Sequence, residues 1–262
     1  MTSVPSARLR LAAPPAIRRI GQADLNWALS EGWKDFSAKR GDIVLLALLY
    51  PLVGLAAAVM AVNERFLPLF FPLVAGLSVL GPAVASGFYE LARRRALGLD
   101  AGWSHFLDPM RGRSRSALLI MTLGLMVLFF TWVAVAAAIH AATLGQLGPA
   151  NPGLFLQRLF GTPEGWAMII VGNLFGLAFA VVTITLSLVS FPMVVDKPVD
   201  AWTAIATSTR AVRANPVATA SWGLRVAFLL ALGCIPAFIG LAVVLPVLGY
   251  ATWHLYTRIV ER

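Results

Sequence analysis

The sequence predicts an all-α fold: a polytopic helical membrane bundle of about six transmembrane helices, with short interfacial amphipathic helices on the cytoplasmic side. Three observations carry that prediction. The 262 residues are 59% hydrophobic and only 13% charged, where a soluble domain carries roughly a quarter charged residues. The apolar residues run unbroken for about 20 positions at a time, the length of helix that crosses a ~30 Å hydrocarbon core. Nothing alternates polar and apolar over the roughly ten residues of a barrel strand, so the need to satisfy every backbone group in lipid leaves helices.

In chain order, Met1 to Arg19 is rich in Arg, Pro and Ala and lacks the apolar core of a signal peptide. Residues 1–20 therefore read as a disordered cytoplasmic tail and 21–262 as a single integral membrane domain. The first apolar run is Ile43 to Val62, followed by the turn Asn63, Glu64, Arg65. The second, Phe66 to about Leu91, holds Pro68, Pro72 and Pro82, which predict kinks or a late start. The third covers about Ala117 to Ala142. The fourth, about Trp166 to Val195, is long enough to tilt or to project from the bilayer. The last stretch, Pro216 to Val260, exceeds one span; Gly233, Pro236 and Gly240 near its middle favour a hairpin of two spans over one kinked helix.

The basic residues orient the chain. Counted with the N-terminus inside, the cytoplasmic segments hold Arg8, Arg10, Arg18, Arg19, Lys34, Lys39, Arg40, Arg93 to Arg95, Arg111, Arg113, Arg115, Lys197, Arg210, Arg213, Arg258 and Arg262. The outer loops hold Arg65 and Arg158. That asymmetry places both termini in the cytoplasm. It also accounts for the net charge of +9 through orientation and contact with anionic lipids. Nucleic acid is not an expected partner, since no soluble domain is long enough to build a stacking surface.

Each expected hairpin follows a Trp-containing stretch: DLNWALSEGWKDF from Asp24, AGWSHFLDPM from Ala101, and DAWTAIATSTRAV from Asp200. In the first, Leu25, Leu29, Trp33 and Phe36 share a helical face. The pattern suggests a threefold repeat of interfacial helix plus transmembrane hairpin. The alternative is that any inner interface collects Trp, Tyr and Arg.

Four stretches carry a family resemblance: GPAVASGFYELARRRALG from Gly81, TPEGWAMIIVGN from Thr162, SFPMVVDKPVDAWTAIATSTRAVRANP from Ser190 and LPVLGYATWHLYTR from Leu245. They resemble the bacterial integral membrane proteins grouped as domain of unknown function 2189, some of which bear the label of a cytochrome c oxidase subunit. The resemblance implies a membrane location and six spans, and it implies no established activity. Tyr250 departs from it, standing where members often carry a histidine.

The oxidase label meets a count of ligands. A haem–copper catalytic subunit needs roughly six intramembrane histidines, and this chain has His105, His140 and His254. His105 falls in a loop, and the other two lie near opposite membrane faces, so a catalytic oxidase subunit is rejected. No HExxH, CxxC or paired carboxylate appears, and the single Cys234 lies in an apolar run. No metal, cofactor or catalytic residue is expected, and an enzyme is the least supported class. Ser86, Ser187 and Ser190 lack a histidine nearby in sequence and read as packing residues.

Two candidate sites remain. Glu90 and His254 fall near the cytoplasmic boundary, and Arg225 lies about ten residues into the fifth span, so the three are candidates for a polar cluster near the inner face. The plainer reading is three unrelated boundary residues. Asn173, between Gly172 and Gly176, is a candidate for helix packing or for substrate binding at the midplane. Two function classes follow: a non-catalytic component or assembly factor of a membrane complex, respiratory if the label is followed, and a small-solute transporter or channel. Respiratory-complex subunits, a homo-oligomer and anionic lipids are the partners these readings imply.

Overall fold

The structure, a computed structural model, describes residues 15–38, 67–236 and 238–261. The first apolar run, Ile43 to Val62, and the Asn63–Arg65 turn lie outside the described residues. Among those residues the chain is helical with no strand; an isolated antiparallel bridge joins Ile17 to Val260. That bridge lies inside the segment expected to be a tail. Arg18 extends it, donating its amide to Ile259 (2.8 Å) and its guanidinium to Glu261 (3.0 Å).

Helix α1 is Gln22–Ala38. The second apolar run forms α2 (Leu67–Leu77), one 3₁₀ turn (Ser78–Leu80) and α3 (Gly81–Ala96). The interruption falls where Pro82, in the first turn of α3, has no N–H to give to the preceding helix. The second Trp stretch does not form one continuous helix, as the first and third do. Between Gly102 and Gly112 it makes a 3₁₀ turn (Trp103–His105) and the four-residue α4 (Asp108–Arg111).

Helix α5 (Arg115–Ala142) and helix α7 (Pro163–Ser187) follow, separated by α6 (Pro152–Gly161). Asn151 caps α6 by accepting from the Leu154 amide (2.9 Å), and Thr162 caps α7 through Gly165 (3.1 Å). A short break leads to α8 (Ser190–Asp196), then α9 (Ala201–Ala214), capped by Asp200, which accepts from the Thr203 amide (2.9 Å) and hydroxyl (2.6 Å). The last stretch is a helical hairpin, α10 (Pro216–Cys234) and α11 (Leu241–Ile259).

Four helical stretches among the described residues are long and apolar enough to cross a membrane: Pro72–Ala96, Arg115–Ala142, Pro163–Asp196 and Pro216–Cys234. Their walls are apolar and open. Leu123, Val127 and Phe130 on α5, Ile170, Leu174 and Leu177 on α7, and Leu224 and Phe228 on α10 are all exposed. Such a surface is stable when acyl chains cover it.

The tightest packing is at the end that gathers the basic residues. There α1, the last turns of α3, α8, α9 and the second half of α11 enclose Leu25, Phe88, Phe191, Trp253, Leu255 and Tyr256, with Trp222 of α10 beside them. Two glycines let α11 pack closely on α1 and α3. A Cβ on Gly32 would stand 2.7 Å from the Ala251 nitrogen and the Val247 oxygen, and one on Gly249 would stand 2.8 Å from the Phe88 Cβ. Asn215 ties this end to the N-terminal segment, accepting from the Ile20 amide (2.8 Å) and donating to the Arg18 carbonyl (3.1 Å).

A candidate site: the buried polar layer at the basic end

Helix α1 presents Leu25, Ala28, Gly32, Asp35 and Phe36 inward, positions spaced three and four apart that form one face. Asp35 is therefore carried into the core by the hydrophobic pattern of its own helix. It meets compensation from two other helices. His254 of α11 contributes Nε2 to Oδ2 at 2.8 Å, and Arg95 of α3 brings Nε to Oδ1 at 3.2 Å. The contact at His254 is a donation by its Nε2–H, since the carboxylate can only accept. Trp27 and His254 meet in a T-shaped pair, centroids 5.6 Å apart, and the Arg258 guanidinium lies 4.0 Å above Trp27.

Glu90 is the second buried carboxylate. It faces Arg93, one turn on, through two bonds of 2.8 and 2.7 Å. Arg94 adds a longer contact at 3.7 Å, then reaches Asp108 (3.6 Å), the Asp100 carbonyl and His105 Nε2 (3.2 Å). Because arginine can only donate, His105 accepts at Nε2, and its Nδ1–H donates to Asp108 at 2.7 Å. Nearby, the Tyr256 hydroxyl donates to Asp196 at 2.9 Å. The arrangement neutralises each buried acid with a cation from the run Arg93 to Arg95. At Asp35 a burial that would be costly for a lone charge becomes a clamp between α1, α3 and α11, whereas Glu90 is neutralised within α3.

The three residues of the expected cluster share this end of the molecule but not one another's contacts. Glu90 bonds to Arg93, His254 bonds to Asp35, and Arg225 turns to α1. Its Nη1 donates to Asn26 and its Nη2 to Gln22, both at 2.8 Å, and Ser221 donates to the same Gln22 oxygen at 3.1 Å. The Arg225–Glu90 pair is not formed, because α1 offers two amide oxygens closer to hand. Asn173 is exposed on α7 and donates to the Ile169 carbonyl of its own helix at 2.8 Å. Neither Gly172 nor Gly176 sits in a tight crossing. A Cβ at Gly172 meets nothing within 4 Å, and one at Gly176 meets the Trp132 ring at 3.4 Å.

Sequence reasoning passed over Asp35, the hub of the layer. The apolar face read from the sequence, Leu25, Leu29, Trp33 and Phe36, does not include it: the buried face is turned toward Ala28 and Gly32, and Trp33 is exposed. Tyr250 packs edge-on against Phe88, centroids 5.5 Å apart, within the core. Ser86, Ser187 and Ser190 each donate to a carbonyl of the preceding turn. Among the described residues no three His, Cys, Asp or Glu side chains converge to hold a metal ion.

Comparison with known proteins matches residues 70–196 to the family described as "predicted integral membrane protein (DUF2189)". The match covers α2 from its second turn through α8 and includes the first two and the start of the third of the four stretches quoted above. No curated protein and no solved structure gave a match.

Proposed function

We propose that this integral membrane protein is a non-catalytic component of a larger membrane complex, an assembly or accessory subunit held in the bacterial inner membrane with both termini in the cytoplasm. The observation that supports it is where charge is placed. Among the described residues the two buried carboxylates, Asp35 and Glu90, both lie in the layer at the basic end, each with its own cation. Toward the other end the buried side chains of the 3₁₀ turn before α3 and of α5 are Val79, Leu125, Trp132 and Ala136. A coupled transporter builds its site from ionisable or broken-helix groups near the midplane. This molecule instead spends its polar groups on fixing helices at one face.

The basic loop between α3 and α5 exposes Arg111, Arg113 and Arg115, which suit the anionic headgroups of the inner leaflet. The test of the component reading is quantitative mass spectrometry of what co-purifies with the tagged protein from its native membrane in mild detergent. Stoichiometric subunits of one complex, respiratory or other, are the expected outcome. Recovery alone or as a self-oligomer, together with solute flux in liposomes, would overturn it in favour of a transporter or channel. Orientation is tested by single cysteines placed at Ser104 and Gly148 in a Cys234→Ser background. Only the cysteine at position 148 should react with an impermeant maleimide added outside.

A further inference from the structure

We propose that the C-terminal hairpin is re-entrant: α10 and α11 enter the bilayer from the cytoplasmic side, turn near its midplane and return, so that acyl chains cover the tip. The inference rests on membrane insertion and not on the component reading.

The first observation is depth. Arg225 is held by Gln22 and Asn26 of α1, a helix whose outer face also carries Ser30 and Lys34. That polar surface belongs at headgroup level, and it fixes Arg225 there. Only Val226 to Cys234 remains of α10, nine residues or about 13 Å of helix, less than half of a ~30 Å core. The returning arm is just as short, from Leu241 to Gly249, before α11 enters the packed layer at Tyr250. By contrast α5 has 28 residues and the α7–α8 stretch 34, roughly 42 and 50 Å. Gly223 lies against Ile184, so the hairpin starts beside the lower part of α7 and ends well short of its far end.

The second observation is what the tip is made of. From Val226 to Gly249 no residue is charged, and none is Ser, Thr, Asn or Gln. The turn itself exposes Ile235 and Ile239, at 77% and 58%. The connection between α5 and α7 looks as a turn in water should, with Thr143, Gln146, Asn151, Gln157, Arg158 and Thr162.

The third is the backbone. Hydrocarbon requires that a turn satisfy its own amides. Here Ile235 donates to Leu232, Phe238 to Cys234, Ile239 to Pro236, Leu241 to Phe238 and Ala242 to Ile239, all between 3.0 and 3.3 Å. Pro236 has no amide to satisfy. With the run from Ile43, outside the described residues, counted as the sequence expects, the crossings fall from six to four (that run, α2–α3, α5 and α7), and both termini stay on the basic side.

Cys234, the one cysteine of the chain, stands at the tip and reports on it directly. The full-length protein in sealed vesicles of each orientation is treated with an impermeant maleimide, beside Ile239→Cys in a Cys234→Ser background and the two loop controls above. The expected result is loss of labelling at 234 and 239 from both faces. Spin labels at the same two positions in lipid nanodiscs should be more accessible to oxygen than to a nickel chelate. Labelling from the outer face would show a hairpin that spans, and labelling from the inner face one that folds back; either overturns the proposal. Low accessibility to both oxygen and nickel would mean that protein covers the tip, which overturns it as well.

Discussion

The basic-end layer and the apolar walls are built from the same helices, yet they obey opposite rules. In α3, Ser86 through Ala92 are buried without a gap, and in α7 only Gly165 and Ser187 are buried over 25 residues. The difference lies in the solvent each region faces. Where lipid is the neighbour, apolar side chains lose nothing by pointing outward, and packing adds little beyond contact. At the basic end the chain must exclude both water and lipid. It does so as a soluble core does, with interdigitated aromatics and with acids carried in on hydrophobic faces and matched to cations. Stability should therefore be concentrated in one layer, and substitutions should separate the two regions.

The largest contrast should come from two glycines. Gly32→Leu drives a side chain into the α11 backbone, 2.7 Å from where its Cβ would stand, and should cost about 3 kcal/mol or abolish the cooperative thermal transition in detergent. A Cβ at Gly124, on α5, meets nothing within 4 Å, and Gly124→Leu should leave the melting temperature within error or raise it. Equal losses would mean that both regions are packed alike.

Asp35→Ala comes next. It leaves His254 and Arg95 facing an empty place; because Arg95 keeps 42% of its side-chain exposure, the cost should be about 2 kcal/mol, below that of breaking a fully buried pair. Added to His254→Gln, the effects should fall short of the sum by about 1 kcal/mol. Glu90→Gln and Arg225→Gln, which share no partner, should instead add to within about 0.5 kcal/mol. Full additivity in the first cycle, or strong coupling in the second, would redraw the layer.

How much of this was legible follows from the distances in sequence that each feature spans. The runs of α5, the α7–α8 stretch and the hairpin could be read off because a span is a local property, and their ends fell within three residues of expectation. The interruption before α3 was legible for the same reason, from Pro82. The second Trp stretch was misjudged because Gly102, Pro109 and Gly112 break it into turns, and local breakers outweigh an aromatic pattern. The layer was hidden for a different reason. Asp35 and His254 are 219 residues apart, and no periodicity connects them. Glu90 and His254 were recognised as boundary residues, but their partners depended on how α1 docks. Arg225 shows the point most sharply: its partners are neutral amides, which a search for opposite charge cannot find.

A smaller effect is expected at the edge of the layer, where acid and helix end meet in water. The Asp200 carboxyl is held below its ordinary value by the Thr203 hydroxyl and amide that donate to it. A carboxylate depressed in the folded state contributes stability that is present above the unfolded pKa, about 4, and lost as pH falls through the folded value. Hydrogen exchange at Ala201 to Ala204 should thus accelerate, relative to its intrinsic rate, only below about pH 4, and Asp200→Ala should show the faster rate at every pH. An unchanged rate in the variant would remove the cap from the account.

The smallest effect is expected at Asn173. An amide at the centre of an apolar helix invites the reading that it grips a neighbour or a substrate, yet its donor is already given to Ile169 in its own helix and its side chain is exposed. Replacing it should disturb neither a crossing nor a core, so Asn173→Leu should change unfolding by less than about 0.5 kcal/mol. Any partner of the complex should co-purify as before unless α7 is the surface that it covers. Unchanged stability with loss of the partner would place the site of assembly on the wall. A large loss of stability in the isolated protein would mean that α7 is packed after all, and the division between the two regions would fail at its most exposed helix.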